Sequence, residues 1–266
     1  MLVIAQSLLK ELGDLIRYRW LIYMSVLTTL KMRYRRSALG FFWSLLGPAL
    51  NYGTLAAVFY FGLKTNVPNY LMYVFPGILC FSFFASTLNH GSMALIANEM
   101  FLKKIYLPKS IFVVNSAVSE LSNFCLNTVT MLLLTFFWGK FSPSSLLLYL
   151  PIFILMYFFF ALGLALLTAL ATVFFRDLQH VVPISMQALF YTTPVLFVPE
   201  SFPEKLQFIF QFNPLFNFIQ LFRGVFYDPQ LLNTKAIFIC LGYSAISFFL
   251  GLIFLKLNDN KIVFRL

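Results

Sequence analysis

Long runs without a charged side chain divide this sequence and limit what it can fold into. About 20 apolar residues, at a rise of about 1.5 Å each, cross the roughly 30 Å hydrocarbon core of a bilayer. Six runs reach this length, and Glu120 is the one charged residue inside them. They are 37–63, 65–98, 110–139, 141–175, 178–199 and 236–255. The pattern therefore predicts membrane-spanning helices.

Composition excludes a water-soluble fold. Of the 266 residues, 61% are hydrophobic and 11% are charged, and the mean hydropathy is +0.85. A soluble domain of this length needs more polar surface than 9 acidic and 19 basic side chains supply. We therefore predict an all-α integral membrane protein.

Six spans with both termini in the cytosol account best for the charges. The approximate spans are 39–63, 70–95, 111–138, 146–174, 180–199 and 236–256. The apolar segment 203–222 is broken by Asn213 and Pro214, so we predict a re-entrant pair of half-helices before the last span. In this topology, five of the 19 basic residues lie on the outer, non-cytosolic side of the membrane. They are Lys64, Lys140, Lys205, Arg223 and Lys235. A seventh span would expel the basic C-terminal tail, and the positive-inside rule disfavours that arrangement.

A cytosolic segment, 1–36, precedes the transmembrane domain, 37–266. Its apolar residues recur at helical spacing beside charged ones, which predicts an amphipathic helix at the membrane surface. They are Leu8, Leu9, Leu12, Leu15 and Ile16.

Sequence motifs of enzymes are absent. The chain contains no HExxH, GxSxG or GxxxxGK[ST] pattern, and its three cysteines lie in apolar stretches without metal-ligand spacing. We therefore predict no catalytic residue, no metal site and no cofactor on this chain. Any ATP must be bound by a partner.

Polar residues share one face of the third predicted span. They are Ser116, Ser119, Glu120, Asn123 and Asn127. An ionisable group inside a membrane is a functional candidate by default. One interpretation is a hydrated pathway or ion relay, and the other is hydrogen bonding that holds neighbouring helices together. His90, in the second span, is expected to donate to a neighbouring helix.

Aromatic side chains on the first and fifth spans are candidates for lining a channel. They are Trp43, Tyr52, Phe59, Tyr60, Phe190, Tyr191 and Phe197. Rings with a polar tip can stack on sugar faces, but they also form ordinary membrane belts and cores. Both interpretations stay open.

Five segments resemble the membrane subunits of ATP-binding-cassette exporters that move O-antigen, capsule or teichoic-acid polysaccharide. They are KMRYRRSALGFFWSLLGP (31–48), VFPGILCFSFFAS (74–86), IANEMFLKKIYLPKS (96–110), VFFRDLQHVVP (173–183) and TTPVLFVPESFPEKLQFIFQFNPL (192–215). The resemblance covers nearly the whole chain, and its order agrees with the six predicted spans.

This resemblance implies a homodimeric channel in the bacterial cytoplasmic (inner) membrane, exporting a lipid-linked polysaccharide such as O-antigen. Each subunit would engage a separate cytosolic ATPase, which would hold ATP and Mg²⁺. The implied ATPase-coupling residues are Glu99, Met100, Phe101, Leu102, Lys103, Lys104, Tyr106, Arg176 and Asp177. Asn213 and Pro214 would form the outer gate.

Arg33, Arg35 and Arg36 precede the first span, where cations would meet the pyrophosphate of a lipid-linked glycan at the substrate entrance. Topology alone also places basic residues there.

Three other functions stay open. A permease of the same class could export a lipid or a drug instead. A polytopic glycosyltransferase would use similar substrates, but the cytosolic acids are scattered and form no paired site in the sequence. An assembly subunit without transport is the third.

Overall fold

The computed structural model describes residues 11, 13–34, 42–62, 69–105, 107–137, 145–199, 202–203, 210 and 212–265. This part of the chain is helical and contains no strand, which confirms the all-α prediction for it. Its α-helices are α1 (Arg19–Tyr34), α2 (Trp43–Gly62), α3 (Tyr70–Ala97), α4 (Glu99–Lys104), α5 (Ser110–Phe137), α6 (Leu150–Phe174), α7 (Leu178–Thr192), α8 (Pro214–Phe226), α9 (Thr234–Leu257) and α10 (Asp259–Arg265). Short 3₁₀ helices cover Ser145–Tyr149 and Pro229–Leu231.

Four helical segments among the described residues are long and apolar enough to cross a membrane. They are Tyr70–Lys104, Ser110–Phe137, Leu146–Phe174 and Thr234–Leu257. These segments include the positions of the second, third, fourth and sixth predicted spans. Helix α2 has 20 residues and lies within the first predicted span, 39–63.

The fifth predicted span, 180–199, is a shorter helix in the structure. Helix α7 has 15 residues and ends at Thr192, and the backbone of Thr193 is extended. Thr193 precedes Pro194, and proline disfavours helical backbone in the residue before it. Helix α7 is therefore only about 22 Å long, and the chain turns after it instead of continuing to 199.

Helix α6 lies at the centre of the bundle, between α3 and α9. A Cβ atom at Gly91 would lie 2.7 Å from the Cβ of Ala165, and one at Gly163 would overlap Ser247. The Ser247 hydroxyl donates to the Phe160 carbonyl at 2.9 Å, across the α6–α9 contact. Small residues therefore let these backbones approach closely, and hydroxyl bonds join them, as is common for helices packed in membranes.

A helix, α8, begins within the segment where the sequence predicts two re-entrant half-helices. Its N-terminal cap is Asn213, whose side-chain oxygen accepts a hydrogen bond from the Leu215 N–H at 3.0 Å, and Pro214 occupies the first turn. Both residue types favour a helix start. Helix α8 continues to Phe226 rather than ending at 222. The first half-helix falls almost entirely outside the described residues.

The described part of the N-terminal segment is largely helical. Helix α1 contacts α5, where the Asn115 amide donates to the Ser25 hydroxyl at 2.9 Å and Val26 is buried. Trp20 and Met24, by contrast, are exposed. Large apolar side chains of α1 are thus exposed, and the interfacial position of this segment stays a prediction. Leu8, Leu9 and Leu12 lie outside the described residues.

Candidate functional site

A cavity with polar walls lies between α2, α3 and α5. Its volume is about 320 Å³. The lining residues are Trp43, Pro48, Ser82, Phe83, Ser86, His90, Glu120, Asn123, Phe124, Leu126 and Asn127. We call this space the polar cavity.

The carboxylate of Glu120 organises one wall of the polar cavity. His90 Nδ1 lies 3.1 Å from Glu120 Oε1, and the Asn123 amide donates to Glu120 Oε2 at 3.2 Å. The Glu120 side chain is 11% exposed, whereas that of His90 is 61% exposed. Glu120 therefore joins α5 to α3 and also borders open space. Both interpretations of its role, a hydrated pathway and hydrogen bonding between helices, stay open.

The polar face predicted on the third span is only partly gathered at this cavity. Glu120, Asn123 and Asn127 line it. The Ser119 hydroxyl instead donates to the Asn115 carbonyl at 2.9 Å, within its own helix. Ser116 is half-buried and is not among the lining residues. Ser82 and Ser86 also line the cavity but were not predicted from the sequence. Isolated serines on an apolar helix do not indicate a site unless the position of the neighbouring helix is known.

The described members of the predicted channel aromatics lie in different surroundings. Trp43 borders the polar cavity. Tyr52 is 3% exposed and packs on Phe75, with the ring centroids 5.1 Å apart, so this ring belongs to the core of the subunit. The side chains of Phe59 and Tyr60 lie outside the described residues.

Aromatic residues near the end of α7 border a second cavity, of about 420 Å³. Its lining residues are Tyr191, Thr192, Phe197, Phe202, Phe210 and Asn213. The ring of Phe190 faces elsewhere and contacts Phe81 edge-on at 5.1 Å. The Asn213 amide donates to the Thr193 hydroxyl at 3.0 Å. The predicted gate residue Asn213 therefore ties the start of α8 to the end of α7.

Arg223 of α8 is fully buried. Its Nε donates to the Tyr73 carbonyl at 3.0 Å, and its Nη2 donates to the Val195 carbonyl at 2.8 Å. The guanidinium thus joins α8 to α3 and to the turn after α7. In the sequence, the feature that singles out Arg223 is its place as a single arginine inside an otherwise apolar segment.

Helix α4 carries the predicted coupling residues as a short exposed helix. Met100 and Phe101 are 69% and 58% exposed, whereas Leu102 is buried. Lys103 pairs with Glu99 at 2.5 Å. Lys104 is exposed, and Tyr106 lies outside the described residues. The two large apolar side chains at the surface offer an apolar contact to a partner, with charges beside them.

Arg176 and Asp177 lie between α6 and α7, and both are exposed. The Asp177 side chain makes no capping hydrogen bond to α7. Both side chains are therefore accessible at the surface between these two helices.

Charged residues from distant parts of the chain meet near α4. Glu11 accepts a hydrogen bond from the Ser110 hydroxyl at 2.6 Å and pairs with Lys256 at 2.7 Å. Lys109 pairs with Asp259. This group, which we call the terminal cluster, joins the N-terminal segment to the start of α5 and to the end of α9.

The residues of the predicted substrate entrance are largely outside the described part. Arg33 lies in α1, but its side chain is not described, and Arg35 and Arg36 are outside the described residues. Their role in capturing substrate stays a prediction.

The comparisons with known proteins agree on one family. Residues 20–227 match the profile of the ABC-2 type transporter family. The chain is 28% identical over 230 residues to the O-antigen export system permease protein RfbA of Myxococcus xanthus, covering 86% of this chain and 88% of that one. It is 28% identical over 243 residues to the protein of the same name from Klebsiella pneumoniae, covering 89% of each. It is 20% identical over 244 residues to the polysialic acid transport protein KpsM of Escherichia coli, covering 89% of this chain and 93% of that one. Because the family match spans most of its length, this chain belongs to the ABC-2 type transporter family.

Proposed function

We propose that this chain is the transmembrane permease subunit of an ATP-binding-cassette exporter of lipid-linked polysaccharide, most simply O-antigen. The observation that carries the proposal is similarity to O-antigen export permeases along 86% and 89% of the chain. The apolar helices supply the membrane body that such a subunit needs.

The proposed subunit crosses the bacterial inner membrane six times and has both termini in the cytosol. Four apolar helices of sufficient length support this topology, together with the 20 residues of α2. Helix α7 is short for a full span, so in this topology the turn after Thr192 lies within the outer part of the membrane. Helix α8 then forms the returning half of the re-entrant segment, surrounded by protein at its buried face.

Energy for transport comes from a separate cytosolic ATPase, which holds ATP and Mg²⁺. Helix α4 is the proposed docking element, because Met100 and Phe101 present apolar surface beside the Glu99–Lys103 pair. Two copies of this chain and two ATPase subunits make up the proposed exporter.

The proposed route begins at Arg33, Arg35 and Arg36, where guanidinium groups would hold the pyrophosphate of the lipid carrier. It ends near Asn213 and Pro214, at the contact between α7 and α8.

Deletion of the gene in the bacterium that encodes it tests the proposal. We expect surface polysaccharide to disappear and lipid-linked glycan to accumulate in the inner membrane, with both effects reversed by the wild-type gene. Purification of the tagged chain in mild detergent is expected to recover an ATPase subunit in equal amount. Unchanged surface polysaccharide, or an intact membrane complex without an ATPase, would contradict the proposal.

Capsular polysaccharide is the second candidate cargo. The similarity to the polysialic acid transport protein favours it, although at a lower identity of 20%. Chemical analysis of the glycan that accumulates after deletion separates the two cargoes.

A further inference from the structure

We propose that the polar cavity binds one sugar residue of the transported glycan in the cytosolic half of the membrane. Glu120 is the principal hydrogen-bond acceptor of this site, and Trp43 supplies an aromatic wall. The inference rests on the proposed polysaccharide export and adds to it a specific site for the substrate.

The lining of the cavity has the donor and acceptor chemistry of a sugar site. A sugar hydroxyl both donates and accepts hydrogen bonds, so it needs partners of both kinds. Glu120 supplies acceptor oxygens, Asn123 and Asn127 supply amide donors and acceptors, and Ser82 and Ser86 supply hydroxyls. Mobile acyl chains would gain nothing from this set, because burying such groups without hydrogen-bonding partners is costly.

The apolar part of the lining suits the other face of a sugar ring. Trp43, Phe83 and Phe124 border the same space as the polar groups. Aromatic rings provide an apolar face against which the C–H groups of a sugar can pack. A volume of about 320 Å³ is near the lower limit of typical small-molecule pockets, which begin at about 300 Å³. The space therefore suits a single ring rather than an oligosaccharide.

The position of the cavity agrees with an early step of transport. Glu120 follows the start of α5 at Ser110 by about 15 Å along the helix axis, and in the proposed topology this end of α5 faces the cytosol. Trp43 is the first residue of α2 and follows the predicted entrance arginines closely in the sequence. A glycan whose pyrophosphate is held at that entrance would reach the cavity with its first sugar residues.

Helix packing by itself does not account for this arrangement. A purely structural network between two helices would be closed, since interiors pack to high density with few voids. Here the His90–Glu120 pair borders an open cavity, and the His90 side chain is 61% exposed. The pair holds the carboxylate in place while leaving polar groups accessible to a ligand.

Site-specific photocrosslinking in native membranes tests the proposal. A benzophenone amino acid replaces Ser86 in the cavity, Phe197 near the end of α7 or Val129 on the exposed face of α5, within the complete exporter. After irradiation, the purified permease is probed for attached glycan with an antibody to the polysaccharide of the same strain. We expect glycan on the Ser86 derivative and none on the Val129 control.

Substitutions of the wall then test the assigned roles. Glu120→Gln removes a charged hydrogen-bond acceptor, and His90→Leu removes the partner that holds this acceptor in place. Each is expected to reduce glycan crosslinking at Ser86 about tenfold. Ser122→Ala is the matched control, because Ser122 lies on α5 outside the cavity and bonds only its own helix through the Val118 carbonyl. It is expected to leave crosslinking unchanged.

The outcomes separate this proposal from the exporter function. Glycan crosslinked at Phe197 but absent at Ser86, or lipid without glycan at Ser86, overturns the sugar site and leaves export standing. Unchanged crosslinking in Glu120→Gln, with an altered pH dependence of export, overturns it in favour of a proton relay. The proposed export function is overturned instead if deletion of the gene leaves surface polysaccharide intact, or if the intact membrane complex lacks an ATPase.

Discussion

The guanidinium of Arg223 lies over the ring of Tyr73, with its central carbon 3.6 Å from the ring centroid, and it also binds the carbonyl of the same tyrosine. One buried side chain thereby fastens α8 to the beginning of α3. Since α8 is a short helix and arginine is costly to bury, this contact fixes the position of α8 against α3. No local sequence pattern predicts the contact between Arg223 and Tyr73, because these residues are 150 positions apart.

Arg223→Lys is expected to destabilise the subunit by about 2 kcal/mol. Lysine keeps the charge but lacks the planar fork that reaches the Tyr73 and Val195 carbonyls together. The thermal stability of the detergent-purified complex, followed by size-exclusion chromatography after heating, measures the change. Lys235→Ala is the control, since Lys235 is exposed at the start of α9. Equal stability of the two variants would contradict the prediction.

Gly163→Ala is expected to destabilise the α6–α9 contact by about 1–3 kcal/mol. The added methyl group would overlap the backbone of Ser247, which cannot move without shifting α9. Gly242→Ala is a matched control on α9, because no atom lies within 4 Å of its added carbon. The yield of folded protein and its melting temperature report the difference. A Gly163→Ala protein as stable as Gly242→Ala would show that the helices are not held this closely.

Met100→Asp together with Phe101→Asp is expected to abolish copurification of the ATPase while the membrane subunit stays folded. These side chains are exposed and contribute little to the subunit core, so the loss reports a lost apolar contact. Leu148→Asp is the comparison, since Leu148 is 79% exposed in the 3₁₀ helix before α6. Retention of the ATPase by the double variant would place the docking site elsewhere.

The Glu11–Lys256 pair is expected to contribute more to stability than the Glu99–Lys103 pair. Glu11 is 4% exposed and also accepts the Ser110 hydrogen bond, whereas Glu99 and Lys103 form a more exposed pair on one helix. Double-mutant cycles with Glu11→Gln and Lys256→Met should give a coupling of about 1–2 kcal/mol. The second pair should give a smaller coupling, because solvent screens it. A weaker coupling at Glu11 than at Glu99 would be inconsistent with a terminal cluster that ties the chain ends together.

Charge reversal at Arg35 and Arg36 is expected to lower export at matched levels of the protein in the membrane. The reason is loss of the cations proposed to hold the pyrophosphate. Arg19→Glu, at the start of α1, controls for net charge. Inverted topology or degradation of the variant would instead indicate that these arginines only anchor the chain. Unchanged export with correct topology would remove them from the substrate entrance.

Local properties of the sequence were sufficient to predict most of the helices. Hydrophobicity and length are properties of contiguous residues, so long apolar helices occur at the positions of the second, third, fourth and sixth predicted spans. The end of α7 was predicted too late, because the apolar run continues past Thr192 while Pro194 stops the helix. The motifs that resemble polysaccharide exporters pointed to the same family as the later comparisons.

Only the tertiary structure shows which side chains are in contact with each other. Tyr52, for which the sequence left channel lining and core packing open, packs against Phe75 in the core, and Arg223 is buried between helices. Glu11 and Lys256 form a pair across nearly the whole chain. The sequence alone determined that the chain enters the membrane, because that depends on summed transfer free energy. The polar cavity depends on the relative rotation of three helices, which small residues and buried hydrogen bonds set through contacts distant in sequence.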